Sequence, residues 1–159
     1  MIHEIKGDLL KAPHQYICHQ VNCQGKMNSG VAKAIRDKWP EVYKKYLEKY
    51  VKADGCADEL LGEIQHVPVS NLKVVVNMFA QENYGYDGRR YTSYDAFWSC
   101  LNYLAITIPK GSGIAFPGYI GCARGGANWN VIKNMIEVVL GKDYEVTIYY
   151  LEEENENKA

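Results

Sequence analysis

The chain has no long run of one charge. Its 18 Lys and Arg residues nearly balance 19 Asp and Glu, giving a net charge of −1, and basic residues never cluster beyond pairs such as Lys44-Lys45 and Arg89-Arg90. A surface that follows nucleic-acid phosphates needs a basic stripe, so direct nucleic-acid binding is not expected. No apolar stretch approaches the roughly 20 residues of a membrane-spanning helix, and no membrane partner is expected either. The five cysteines are odd in number and form no Cys-x-x-Cys pair, and no secretory pattern stands at Met1. These features read as a reduced, cytoplasmic protein, in the host cytoplasm if phage-encoded. His3, His14 and His66 have no metal-ligand spacing and no alternating acids supply oxygen ligands, so neither metal nor cofactor is expected. At 159 residues the chain can bury a sizeable core. It reads as a monomer with a single domain over 1–151 and a frayed acidic tail over 152–159.

Glycine is where the sequence becomes specific. From Ile114 an apolar run leads into Pro117-Gly118-Tyr119-Ile120-Gly121-Cys122-Ala123-Arg124-Gly125-Gly126-Ala127-Asn128-Trp129: a strand, a glycine-rich loop and the start of a helix, with Asn128 placed as N-cap. Such a loop suits an anion. The helix dipole contributes only about 1 to 2 kcal/mol, whereas micromolar binding needs roughly 8 kcal/mol, so a second set of contacts is required. Tyr16 to Val21, followed by Asn22-Cys23-Gln24-Gly25-Lys26-Met27-Asn28-Ser29-Gly30 and then Val31, Ile35 and Trp39 at helical spacing, repeats the arrangement. Two such loops at the carboxyl ends of strands form the crevice where open α/β sheets bind nucleotides. Taken singly, each glycine loop is equally a plain turn.

The remaining pattern supports that frame. Strands are expected over 1–5, 16–21, 63–69, 72–80, 114–116 and 145–151, the 63–69 and 72–80 pair antiparallel. Helices are expected over 30–38, from Pro40 through Tyr50, from Tyr94 to Ile108 behind a Thr92/Asp95 capping box, and over 129–140 stopped by Gly141. Residues 52–61 and 81–91 read as loops. The fold class is α/β: a three-layer α/β/α sandwich with a six-stranded mixed sheet.

Gly7-Asp8 after the first strand, the segment Val21-Asn22-Cys23 to Gly30-Val31-Ala32, and Ile120 to Trp129 together resemble the macrodomain, the ADP-ribose-binding α/β/α family. The second loop is similar to the subgroup of terminal ADP-ribose glycohydrolases and yeast-type ADP-ribose 1''-phosphate phosphatases. The resemblance implies ADP-ribose or ADP-ribose 1''-phosphate as partner. It implies Asp8 accepting from the adenine amino group, with Leu9, Tyr149 and Leu151 lining the adenine pocket. Asn22 would hold the distal ribose, backbone amides of Ser29, Gly30 and Val31 one side of the diphosphate, and those of Gly121, Cys122, Ala123, Arg124 and Gly125 the other. Met27, Gln81, Pro117 and Gly126 complete the implied ligand contacts.

Two departures bear on chemistry. The glycohydrolase lysine is missing from Asn77 to Gly85, and its acid position falls at Gly125, so lysine-based ribose opening is not expected. His19-Gln20-Val21-Asn22-Cys23-Gln24-Gly25, with Pro40-Glu41 and Tyr46 downstream, resembles the 1''-phosphate phosphatase branch and its bacterial and phage relatives, which place a functional histidine at His19. His19 and Asn22 are thus the catalytic candidates of a metal-independent phosphatase. His19 would exchange a proton with the leaving oxygen or water, and Arg124 would face the phosphoryl oxygens. Beside these stand plainer readings: His19 as a satisfied core residue, Arg124 as a solvated charge, Cys23 and Cys122 as packing, and Tyr84, Tyr86, Tyr91 and Tyr94 as a cover for the sheet edge instead of a base-stacking surface. At the level of function a non-catalytic ADP-ribose binder, or a mono-ADP-ribosyl hydrolase with water oriented by Asn22, remains open.

Overall fold

The computed structural model describes residues 2–151; Met1 and the acidic stretch 152–159 lie outside the described residues. Six strands, β1 (Ile2–Lys6), β2 (Tyr16–Val21), β3 (Ile64–Ser70), β4 (Lys73–Phe79), β5 (Gly113–Pro117) and β6 (Glu145–Tyr150), form one sheet in the order β1-β6-β5-β2-β4-β3. All neighbouring pairs are parallel except β3 with β4. Central β2 and β4 are almost wholly buried, which is why they read as continuous apolar runs and not as alternating ones. The sheet is the mixed α/β sheet expected.

Helices α1 (Gly30–Lys38), α2 (Pro40–Lys52), α3 (Ala57–Leu60), α4 (Tyr94–Thr107) and α5 (Trp129–Leu140) complete the fold. One face of the sheet, carrying Cys18, Val76, Met78, Phe116 and Ile148, packs on α4 and α5. The other, carrying Val21, Val75 and Phe79, packs on Ile35 of α1 and Val42 and Tyr46 of α2. Pro40 occupies the first turn of α2 as its fixed φ favours.

One element is added and two local expectations need correction. The turn after β1 continues into a 3₁₀ turn, Leu9–Lys11, capped by Asp8, whose Oδ1 accepts from Leu10 N at 3.0 Å. Residues 52–61 contain the short helix α3. Ser93, not Thr92, caps α4, accepting from Ala96 N at 3.1 Å, and this leaves Thr92 for another task.

One feature of the pairing creates the site. β2 and β5 are joined only at Tyr16–Ile114 and Ile17–Ala115, although β2 runs on to Val21 and β5 to Pro117. Beyond that point the strands part, and the two glycine loops leave from the open end, the switch point at which open α/β sheets hold ligands.

Candidate functional site

A cleft opens between the two loops. Its first wall runs from Asn22 through Lys26 to Ala32, its second from Pro117 to Gly125, and Gln81 with Tyr84, Gly85 and Tyr86 closes one side. His19 and Gln20 lie at its floor. Of the residues anticipated from sequence, His19, Asn22, Met27, Ser29, Gly30, Val31, Gln81, Pro117 and Gly121 to Gly125 meet there. Asp8, Leu9, Gly126, Tyr149 and Leu151 are not among the lining residues. Leu9 and Tyr149 are packed with Ile17 and Ala115 in a small core cluster, Asp8 caps the 3₁₀ turn, and Leu151 is half exposed.

The first wall is held by Asn22. Its Oδ1 accepts from Gln24 N at 2.9 Å and from the Tyr46 hydroxyl at 2.8 Å, and its Nδ2 donates to Lys26 O at 3.0 Å. Asn22 therefore shapes the loop from inside. Ser29 stands at the N-cap of α1 without a side-chain cap bond, so the first-turn N–H groups of α1 are left for a guest in the cleft. The α5 terminus differs, because Asn128 caps it, accepting from Asn130 N at 2.9 Å. The anion-binding end of a helix is thus that of α1. Opposite it, Gly125 O takes Tyr91 N at 2.8 Å and Thr92 N at 2.9 Å, and Gly121 O takes Ala127 N at 3.0 Å. The Gly121 and Gly125 carbonyls are thereby turned into the protein, while within the loop Cys122 N donates to Tyr119 O at 2.8 Å.

Tyr86 spans the two walls. Its hydroxyl donates to Ser29 Oγ at 3.4 Å, and the Arg124 guanidinium lies 4.8 Å over its ring. Arg124 is exposed at the rim, with its guanidinium against the Tyr86 ring. Among the described residues no Asp or Glu lines the cleft, so none of their carboxylates opposes an anion there. Among the described residues no three His, Cys, Asp or Glu side chains are grouped to hold a metal ion. Burial, with Glu82 nearby, pushes the Cys23 thiol up to about 12, which keeps it a neutral packing group at pH 7.

His19 is 1% exposed. Its Nε2 lies 2.5 Å from Asn77 Oδ1, and burial depresses its pKa to about 4, against a smaller opposing effect of that bond. Burial thus favours the uncharged imidazole at neutral pH, which suits the accepting role better than the donating one. The same shift sets a pH dependence of stability. Below pH 6.5 the unfolded chain binds a proton at His19 that the folded chain refuses until near pH 4, so stability is full above 6.5 and falls across that window. At 1.36 kcal/mol per unit the loss is on the order of 3 kcal/mol. His14 and His66, also lowered by burial, act in the same direction. Thermal melts between pH 7.5 and 4 should record the decline, and His19→Gln should flatten most of it; an unchanged slope would contradict a buried neutral His19.

The sequence marks Gln20, Thr92 and Tyr86 for other reasons, and nothing in it points to their partners here or to Asn77 as the partner of His19. His19–Asn77 and Gln20–Thr92 are 58 and 72 residues apart; β2–β4 register brings the first pair together, and an isolated bridge between Gln81 and Thr92 sets Thr92 beside β2.

The comparisons agree with this architecture. A family model described as the Macro domain matches residues 18–136. A protein of unknown function from Bacteroides thetaiotaomicron is 30% identical, with a TM-score of 0.82 over 95% of this chain and 98% of that one. The Thermosipho africanus DarTG structure in complex with ADP-ribose is 19% identical, with a TM-score of 0.78 over 97% of this chain and 42% of that one. A protein of Neosartorya fischeri named ADP-ribose 1''-phosphate phosphatase is 46% identical over 46 residues, a segment that is 28% of this chain and 23% of the relative. The family match takes in most of β2 with its loop, β5 with its loop, and most of α5, the elements that build the cleft: the chain belongs to the Macro domain family.

Proposed function

We propose that the cleft binds ADP-ribose, and that the protein hydrolyses ADP-ribose 1''-phosphate without a metal. The observation that carries this reading is the uncapped first turn of α1 facing the glycine-rich 121–125 loop across a cleft that, among the described residues, no carboxylate lines. A diphosphate supplies acceptors to both walls. The phosphatase relative, matched over a short segment, and the ADP-ribose complex of a structural neighbour support it. In the proposed reaction water attacks phosphorus, the bond from phosphorus to the sugar oxygen breaks, and the water's protons are shared between ADP-ribose and inorganic phosphate. Loop amides and Arg124 stabilise the phosphoryl oxygens, and neutral His19 accepts a hydrogen bond or proton.

A second reading, a binder that sequesters ADP-ribose without turnover, is favoured by the low basicity of His19 and by a cleft that no carboxylate among the described residues lines. Phosphate release separates the two. Purified protein with ADP-ribose 1''-phosphate and EDTA is expected to liberate inorganic phosphate; no release at micromolar protein over hours, alongside calorimetric binding of ADP-ribose, would overturn the phosphatase and leave the binder. Release of ADP-ribose from an ADP-ribosylated protein would point instead to a mono-ADP-ribosyl hydrolase.

A further inference from the structure

Among the described residues, two buried side-chain polar atoms have no hydrogen-bond partner in the protein: His19 Nδ1 and Gln20 Oε1. They belong to consecutive residues, both on the cleft floor, just past the point where β2 and β5 stop pairing. Buried acceptors are ordinarily satisfied, and two adjacent exceptions in one cleft call for a common cause.

Each is the end of a relay that starts at a backbone carbonyl. On the α1–α2 side, Lys45 O receives Gln65 Nε2 at 2.8 Å. A carbonyl can only accept, so Gln65 turns its Oε1 toward Asn77 and takes Nδ2 at 3.0 Å. Asn77 then presents Oδ1 to His19, which requires the proton on Nε2 and leaves Nδ1 with a bare lone pair. On the other side, Asn83 O receives Gln81 Nε2 at 2.7 Å, so Gln81 Oε1 accepts from Gln20 Nε2 at 2.7 Å. The Thr92 hydroxyl donates to Gly121 O at 2.8 Å, and its oxygen accepts from Gln20 Nε2 at 2.8 Å. Both N–H groups of Gln20 are thereby used, and Oε1 is left as an acceptor.

We propose that the cleft floor is a donor-reading subsite, in which His19 Nδ1 and Gln20 Oε1 accept hydrogen bonds from ligand hydroxyl groups. This rests on the ADP-ribose reading above and adds an orientation to it: terminal sugar hydroxyls on the floor, phosphates on the loop walls. Asn77, Gln65, Gln81 and Thr92 are positioning residues that fix the tautomer and the amide orientation. A ligand that leaves these acceptors unsatisfied forfeits roughly tenfold to hundredfold in affinity. ADP, which lacks the terminal ribose, is such a ligand.

The test begins on the ligand-free protein, so that its failure is separable from failure of the functional reading. Nitrogen-15 NMR of the imidazole at pH 7 is expected to show a protonated, pyrrole-like Nε2 and a pyridine-like Nδ1 for His19; an Nδ1–H tautomer overturns the proposal. Saturating ADP-ribose should shift the Nδ1 resonance as it gains a donor, and calorimetry should rank ADP-ribose roughly tenfold to hundredfold above ADP. An unmoved Nδ1, or equal affinities, overturns the proposal while leaving ADP-ribose binding intact. Absence of any ADP-ribose binding overturns the preceding functional reading and the ligand half of this one. Asn77→Leu, if folded by circular dichroism, should yield mixed His19 tautomers. Thr92→Val, which frees one N–H of Gln20, should narrow the ADP-ribose over ADP preference without altering the His19 tautomer, and loss of the tautomer in Thr92→Val would contradict two separate relays.

Discussion

Gly126→Val is expected to abolish ADP-ribose binding and to lower the melting temperature by on the order of 10 °C. Gly126 has φ +71°, a conformation that side chains with a branched Cβ avoid. A Cβ there would also stand 2.7 Å from Arg89 O and 2.8 Å from Arg90 Cα. Both are backbone atoms, so relief requires separating the 89–92 segment from the loop. That movement breaks the bonds from Tyr91 N and Thr92 N to Gly125 O, and with them the Thr92 hydroxyl bond to Gly121 O. Strain of about 1–3 kcal/mol thus adds to overpacking of similar size. Gly88→Val is the control. Gly88 has φ +82° but nothing within 4 Å of a built Cβ, so it carries the strain alone and should melt only a few degrees lower, with affinity retained. Equal effects from the two variants would mean that the contact with the 89–90 backbone is unimportant.

Asn22→Ala is expected to weaken ADP-ribose binding roughly a hundredfold and to destabilise the fold by about 2–3 kcal/mol. The change removes the acceptor for Gln24 N and the Tyr46 hydroxyl and the donor to Lys26 O. The Tyr46 hydroxyl keeps Asn22 O at 2.8 Å, which limits the loss. Without the side chain the 22–28 segment has less to hold it against α2, and α1's first turn loses its fixed approach to the ligand. A residue that only touched the ligand would change affinity and leave the melting temperature alone. Parallel melts and calorimetry on this variant decide between the two roles: a hundredfold affinity loss with unchanged stability would return Asn22 to a pure ligand contact.

Much of this was legible in sequence because it is local. The strand over 16–21 and the helix over 30–38 were read at their observed bounds, since apolar runs and helical spacing are properties of a few neighbouring residues. The glycine loops were legible for the same reason. What stayed hidden depends on register. Asn77 sits beside His19 because β2 pairs with β4 at that position, and nothing near Asn77 in the chain announces it. The Thr92/Asp95 spacing looked like a capping box, yet the adjacent Ser93 took the cap once Thr92 was drawn to Gly121 O. Tyr86 comes from a long loop whose path across the cleft is set by contacts with Ser29 and Arg124 on two other elements. His19 shows both sides of the matter. Its alternation with Ile17 and Val21 predicts burial, but the unpartnered Nδ1 appears only when the chain from Lys45 O through Gln65 and Asn77 is followed to its end.

Titration calorimetry of the wild-type protein with ADP-ribose at neutral pH tests the central claim most directly. Two loop walls and a floor of acceptors predict saturable one-to-one binding with a dissociation constant on the order of micromolar or below, about 8 kcal/mol or more, and loss of that heat in Gly126→Val. The absence of saturable binding by folded wild-type protein at millimolar ADP-ribose would contradict the account.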